Sequence, residues 1–367
     1  MIYDRVREHQ FHPINPESQT MTFDRGLDSD GIADLSDDDW KVRLLALRDL
    51  VRLGVDHAQD TVRGLEDPNF HVRYLSAKAL GVLQVQSAAP VLEQLLRNDE
   101  EPIVRAYAAM ALGQMDAQES LDLLRDRQEN DPHRDVRHQC SLAIGQIESG
   151  MGATEVLRNA FTGLDESTFE ALHVGQPAID FTLDDTEGRP RALEDLRGDD
   201  WLVLIWVFAD WCPVCHGEFQ ELIEMRESYE QAGIRVATVE THDTWRGRVM
   251  VGKEIEPGYW FARESFKEAD TNRIWWPQLL DRAGAVGAAY GVDPMAFAVH
   301  GEFINRPATV IIDPDGIVRF AYYGAYWGDR PSIEQTLEMI KSNTFDFEHP
   351  SRLSPVPAGQ KGDQPRP

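Results

Sequence analysis

Apolar positions in the first half of the chain recur at helical spacing, at Val72, Leu75, Ala79 and Leu83 and again at Val104, Ala108, Ala111 and Met115. An acidic or proline turn precedes each such stretch, at Asp37-Asp38-Asp39, Asp67-Pro68, Glu101-Pro102 and Asp131-Pro132, where it can cap and start a helix. The stretches run to Leu53-Gly54, Leu80-Gly81, Leu112-Gly113 and Ile144-Gly145, and each glycine is predicted to stop its helix. Val-Arg recurs at Val42-Arg43, Val72-Arg73, Val104-Arg105 and Val136-Arg137, spaced by 30, 32 and 32 residues. Each unit holds a second apolar segment, such as Ala88 to Leu96 or Ser120 to Leu124. Two helices per repeat predict an α-solenoid, whose helix pairs bury their apolar faces on their neighbours. The repeated arginine is predicted to bond carbonyls or acidic groups of the adjoining unit.

Near Phe161 the pattern changes to β-branched and aromatic runs. Gly175 to Leu183, with Gly188 and Leu193 to Gly198, reads as a short hairpin-like lead-in. Trp201 to Ala209 is a continuous apolar run, as expected of a strand buried on both faces. Asp210-Trp211-Cys212-Pro213-Val214-Cys215 follows it, then a helical pattern from His216 to Leu222 and a second strand, Ile234 to Glu240, which together make a βαβ unit. Arg306 to Ile312 and Ile317 to Gly324, joined by Asp313-Pro314-Asp315-Gly316, predict an antiparallel hairpin, and Ser332 to Ile340 a closing helix.

The 367 residues are enough for two domains. A net charge of −27, from 63 acidic and 36 basic side chains, disfavours phosphate backbones and anionic membranes, so no nucleic acid and no membrane insertion are expected. No apolar run approaches the roughly 20 residues of a membrane helix. The charged first ten residues carry no apolar leader, and a cytoplasmic location is the expectation.

Three cysteines do not make a disulfide framework. Cys140 lies in a helical apolar stretch and reads as a small buried hydrophobe. Cys212 and Cys215 fall between a strand and a helix, where unpaired N–H groups and the positive end of the helix dipole stabilise a thiolate. A second thiol three residues on can resolve a mixed disulfide. Pro213 suits an early helical position, since its missing N–H is not needed there. A zinc site would need a second such pair, which the chain lacks.

Residues 31–160 resemble the short HEAT repeats of the phycobilisome-lyase-like type. Residues 173–345 resemble a thioredoxin-fold redoxin of the AhpC/TSA and TlpA-like group, through Gly175, Asp180, Phe181 and Leu183, the W-C-x-x-C run from Trp211 to Cys215, and R-P-A-T-V-I-I-D-x-D-G from Arg306 to Gly316. The resemblance implies an all-α HEAT solenoid followed by an α/β thioredoxin-like domain with an enlarged insertion before its later proline strand. The expected borders are an extension over 1–30, the solenoid over 31–160, a linker over 161–172, the redoxin over 173–345 and a Pro-rich disordered tail over 346–367.

The same resemblance implies a thiol-disulfide oxidoreductase with Cys212 as nucleophile and Cys215 as resolving thiol, flanked by Trp211 and Pro213. Pro307 would be a cis-proline facing the pair. The redox disulfide Cys212–Cys215 would serve without a cofactor or metal. A thiol or disulfide protein substrate or reductant, and a protein partner on the concave face of the repeats, are the implied partners. The peroxiredoxin pattern T-x-x-C-x-x-E instead lays Cys212 on the threonine, Cys215 on the peroxidatic cysteine and Glu218 on the glutamate. The peroxide-activating arginine of that family then falls at Pro307, with Arg306 beside it, so peroxidase activity is the alternative and disulfide exchange the first expectation. A HEAT scaffold with a redox-sensing, non-catalytic redoxin module is the alternative of another class.

The insertion over 241–305 carries Trp245, Trp260, Trp275 and Trp276, read as packing of an enlarged core. Glu240 to Trp245 and Gly324 to Trp327 weakly resemble bacterial deiodinase-like redoxins, although selenocysteine is absent. His242 is read as structural, with proton carriage as its alternative role, and Glu218 as a cap or solvated helix residue.

Overall fold

The Val-Arg repeat folds into a ladder. The Arg73 guanidinium reaches back to Asp67 O at 2.8 Å and forward to both carboxylate oxygens of Asp99, at 2.8 and 3.0 Å. One unit on, Arg105 donates to Asp99 O at 2.8 Å and grips Asp131 at 2.9 and 3.0 Å. Arg43 and Arg137 make the backward bonds, to Asp37 O and Asp131 O, both at 2.6 Å. Each bidentate pair locks a helix start to the turn of the next unit.

The structure is a computed structural model that describes residues 29–254, 271–326 and 328–347. The expectations for most of the N-terminal extension, for Trp260 and Trp327, and for the tail beyond Phe347 lie outside the described residues. By contact the chain divides after Asp30, and the described α-helices and strands belong to the unit Gly31–Pro367.

Four helix pairs build the solenoid: α1 Trp40–Leu53 with α2 Ala58–Gly64, α3 Phe70–Leu83 with α4 Ala89–Asn98, α5 Pro102–Gln114 with α6 Leu121–Asn130, and α7 Arg134–Ser149 with α8 Glu155–Thr162. Gly54 ends α1 as predicted, at φ 74°. Gly81, Gly113 and Gly145 do not stop their helices and lie inside α3, α5 and α7. Close packing explains the first two. A Cβ at Gly81 would stand 2.9 Å from Ala111 Cα, and one at Gly113 2.8 Å from Ala143 Cα. The glycines are there so that successive helix backbones can touch.

The second half is a seven-stranded sheet in the order β2-β1-β5-β4-β3-β8-β9. Its strands are β1 Thr182–Asp185, β2 Pro190–Ala192, β3 Trp201–Trp206, β4 Ile234–Glu240, β5 Gln278–Leu280, β8 Ala308–Ile312 and β9 Val318–Tyr323. β3, β4 and β5 run parallel, β8 pairs antiparallel with β3, and β9 pairs antiparallel with β8 to complete the predicted hairpin. Five residues of β3, Leu202 to Trp206, are at most 3% exposed, as the continuous apolar run requires. The helix α10 Pro213–Glu224 starts just past the end of β3, and α14 Ile333–Ser342 closes the chain with a capping box at Ser332 and Gln335.

Within the insertion lie α12 Thr244–Met250, α13 Ala285–Ala289 and a separate two-stranded ribbon, β6 Phe297–Val299 with β7 Glu302–Ile304. The segment over 161–172 is fixed on both sides. Arg52 holds Thr162 O at 2.7 Å, and the backbone N–H groups of Glu170 and Leu172 bond Ala288 O and Ala289 O at 2.7 and 3.2 Å.

Asp131 is 2% exposed and holds both Arg105 and the His133 N–H. Its replacement by Ala leaves the buried guanidinium unpaired and should destabilise the folded chain by about 3–5 kcal/mol. Asp60→Ala, which removes only the exposed pair with Arg63, should cost less than about 1 kcal/mol. Urea midpoints of the two variants check this, and equal shifts would contradict the ladder's role.

Candidate active site

β3 ends against the sheet's core, and the chain turns through Val207, Phe208, Ala209 and Asp210 before α10 begins. Cys212 is the N-cap of α10, with Pro213 at its first position. The Cys215 N–H donates to Cys212 Sγ at 3.4 Å, and both are free thiols with 0% exposure. The sequence placed these residues and Trp211 correctly at a strand-to-helix turn.

The two sulfurs differ electrostatically. Burial raises the pKa of both thiols; at Cys212 the neighbouring Cys215 sulfur raises it further, and the Cys215 N–H and Arg330, which oppose this, are outweighed, so that thiol stays well above its ordinary range. At Cys215 the opposing contacts win and the pKa is lowered: the Cys212 thiol donates to it, the Arg330 guanidinium lies at 3.4 Å, and the Phe208 N–H donates at 3.3 Å. Of the two sulfurs, Cys215 is therefore the one whose thiolate is favoured.

Arg330, 4% exposed, was not among the sequence candidates. It donates to Trp206 O at 2.8 Å and to Glu218 Oε1 at 2.6 Å, and a second contact joins it to Glu218 Oε2. Glu218 is thus a partner that aims Arg330 at Cys215, not a cap or a solvated surface residue. Arg306 does not take that place. Its N–H bonds Asp293 O at 2.8 Å and its guanidinium reaches Gly324 O at 3.5 Å. No local signal announced Arg330, which lies 115 positions from Cys215.

The cis Arg306–Pro307 bond expected from the resemblance is absent: no cis peptide occurs among the described residues. The chain enters β8 extended, held by the Asn305 side-chain amide, which donates to Val207 O and Arg306 O at 3.0 Å, and by Pro307 O, which accepts the Gly324 N–H at 2.8 Å.

A buried charge cluster borders the thiols. Glu302, on β7, accepts from Trp211 Nε1 at 2.9 Å and from Arg246 at 3.0 and 3.1 Å. Arg246, on α12, also grips Asp210, with its Nε at 2.9 Å from Oδ1. His242 lies between Glu240 and Glu302, at 3.3 and 3.2 Å. Burial and Arg246 oppose a charge on His242, but the two carboxylates outweigh them and its pKa is pushed up to about 9. Burial likewise works against the Glu302 carboxylate, yet Arg246 and His242 hold it well below the usual range. His242 is a charged member of this cluster.

Trp245 and Trp276 are buried, and Trp275 is half-buried and donates to Leu222 O at 2.9 Å. Two cavities, about 70 Å³ at the seam with the solenoid and about 350 Å³ beside Trp275 and Trp276, are not lined by either cysteine. Among the described residues no three His, Cys, Asp or Glu side chains are grouped to hold a metal, and no helix is long and apolar enough to cross a membrane.

Comparison with known proteins separates the two halves. Residues 174–321 match the AhpC/TSA family, and residues 31–106 and 89–168 match HEAT repeats. The thiol-disulfide oxidoreductase ResA of Geobacillus thermodenitrificans is 29% identical over 47% of this chain and 80% of its own length. A peroxiredoxin of Thermoplasma volcanium is 28% identical over 53% of this chain and 86% of its own. Among solved structures, peroxidoxin BcpB of Mycobacterium tuberculosis is 20% identical over 47% of this chain and 97% of its own, with a TM-score of 0.37. The chain joins HEAT repeats to a domain that matches the AhpC/TSA family, and the relatives of that domain are redox enzymes.

Proposed function

We propose that the protein reduces hydroperoxides, with Cys215 as attacking thiolate and Cys212 as resolving thiol. The observation that carries this reading is the setting of Cys215 Sγ, which receives the Phe208 N–H and faces a guanidinium fixed by Glu218 and Trp206 O. The Cys215 thiolate attacks one peroxide oxygen, the O–O bond breaks, and the departing alkoxide or hydroxide takes a proton from water. Arg330 stabilises the charge that develops on the leaving oxygen. Cys215 is then a sulfenic acid. The Cys212 sulfur attacks it, its thiol proton leaves with the hydroxyl as water, and a Cys212–Cys215 disulfide forms. An external dithiol returns the pair to the reduced state by exchange.

The role expected of Arg306 or of an arginine at Pro307 passes in this reading to Arg330, and Cys212 and Cys215 exchange the roles first assigned to them. A second reading keeps Cys212 as the attacking thiol in disulfide exchange; it is favoured by the likeness to ResA. The HEAT repeats fit a protein-interaction role in either case.

Cys215→Ser should abolish peroxide consumption. Cys212→Ser should keep a single turnover and leave a sulfenic acid at Cys215 that dimedone traps. The reverse pattern would transfer the attack to Cys212. Arg330→Met should move the midpoint of the Cys215 alkylation rate to higher pH, because the lowered pKa is lost and the thiolate appears only under more alkaline conditions, and should slow peroxide reduction about 100-fold. An unchanged pH midpoint would remove Arg330 from the mechanism.

A further inference from the structure

The β6–β7 ribbon lies between the thiols and the solenoid and is attached to both. Toward the site, Phe297 packs on Phe208 with ring centroids 5.5 Å apart, His300 meets Trp211 edge to face at 4.4 Å, and Glu302 accepts the Trp211 indole N–H. Toward the solenoid, the Tyr107 hydroxyl of α5 accepts the Phe303 N–H at 2.9 Å, and Phe303 packs on Tyr74 of α3 at 5.5 Å. From α7, Gln139 donates to His300 O at 3.2 Å and Asp135 pairs with His300 Nδ1 at 3.0 Å.

The ribbon's turn is fitted to this position. His300 and Gly301 have φ of 52° and 78°, the two left-handed residues of a tight hairpin turn. Asn or Gly would occupy the first position with less strain, yet His300 is there, and its ring touches the solenoid and Trp211 at once. Gly301 fits so closely that a Cβ would stand 2.7 Å from the Ala106 side chain of α5.

We infer that the solenoid is a wall of the redox site: by holding the β6–β7 ribbon over the Cys212 loop it positions Trp211 through Glu302 and restricts the thiols to small oxidants, excluding folded protein disulfides. The size restriction deepens the peroxidase reading and rests on it, whereas the positioning of the loop does not. Both sulfurs are fully buried in a cluster that includes Ile304 of the ribbon and against which its Phe297 and Val299 pack, and neither described cavity reaches them. The face formed by α3, α5 and α7 is occupied by the chain's own ribbon, so a protein partner of the repeats must use another face. Glu302 and His300 are positioning residues here.

The test uses the full chain and two releasing variants, Gly301→Val and the milder pair Asp135→Asn with Gln139→Ala. Alkylation of Cys212 and Cys215 by iodoacetamide and by a polyethylene-glycol maleimide is read peptide by peptide, alongside hydrogen exchange of residues 297–304. Wild type should strongly favour the small reagent. The variants should exchange these amides faster and raise the bulky-to-small rate ratio about tenfold or more. Their hydrogen peroxide to cumene hydroperoxide rate ratio should fall in parallel. Unchanged exchange in both variants would overturn the hold of the solenoid on the ribbon, and faster exchange with an unchanged alkylation ratio would overturn the size restriction. Alkylation needs no turnover, so its result is distinguishable from a failure of the peroxidase reading, which Cys215→Ser decides.

Discussion

Glu302 is a carboxylate with 1% exposure, and the site is arranged around the need to keep its charge satisfied. An unpaired buried carboxylate would cost several kcal/mol or would take up a proton. Here Arg246, His242 and the Trp211 indole all converge on it, each from a different element. The ribbon, the start of α12, the end of β4 and the cysteine loop are thereby drawn to one point. Arg246 extends the constraint to Asp210, two residues before Cys212. No member can move outward without stranding a charge, so the loop bearing Cys212 is fixed by electrostatics as much as by packing.

A second buried arginine acts on the sulfur nearby. Arg330 and Glu218 form a pair with side-chain exposures of 1% and 12%, and Arg330 uses its remaining donors on Trp206 O and Cys215. Glu218 partly cancels the positive field at the sulfur, which is why it raises the thiol's pKa while Arg330 lowers it. The net result still favours the thiolate. Two buried arginines thus divide the labour, one holding the loop and the other tuning the sulfur.

Much of this was legible in the sequence. The period of Val-Arg, the apolar run from Trp201, the C-x-x-C before a helical pattern and the Asp313 to Gly316 turn are local signals, and each produced the element it foretold. The failures share a cause. Gly81 and Gly113 look like helix stops because the sequence does not show the neighbouring helix that needs their missing Cβ. Pro307 looked like a cis-proline by analogy, but the bonds of Asn305 and Gly324 set its geometry here. Residues 278–304 gave no strand signal, since β5, β6 and β7 are three residues each, too short for alternation to register.

The choice of nucleophile shows why local motifs cannot finish the argument. The run from Cys212 to Glu218 fits both a thioredoxin-like pair and a peroxiredoxin-like pattern, and the helix dipole favours a thiolate at either sulfur. What separates them is a guanidinium from 115 positions away, aimed by a glutamate that local reading treats as a surface residue. The closure over Cys212 comes from farther still, since the Tyr107 hydroxyl and the Phe303 N–H it accepts are 196 positions apart. A solenoid built from short-range helix contacts is well suited to such a task. Its rigidity comes from a repeated ladder, in which the Arg73–Asp99 and Arg105–Asp131 pairs fasten the second unit to the third and the third to the fourth, so one face can hold a three-residue strand in register with a sulfur loop in the other half of the chain. The same ribbon alone would be marginal in water. Its order depends on the two surfaces it joins, and that dependence makes the repeats part of the site.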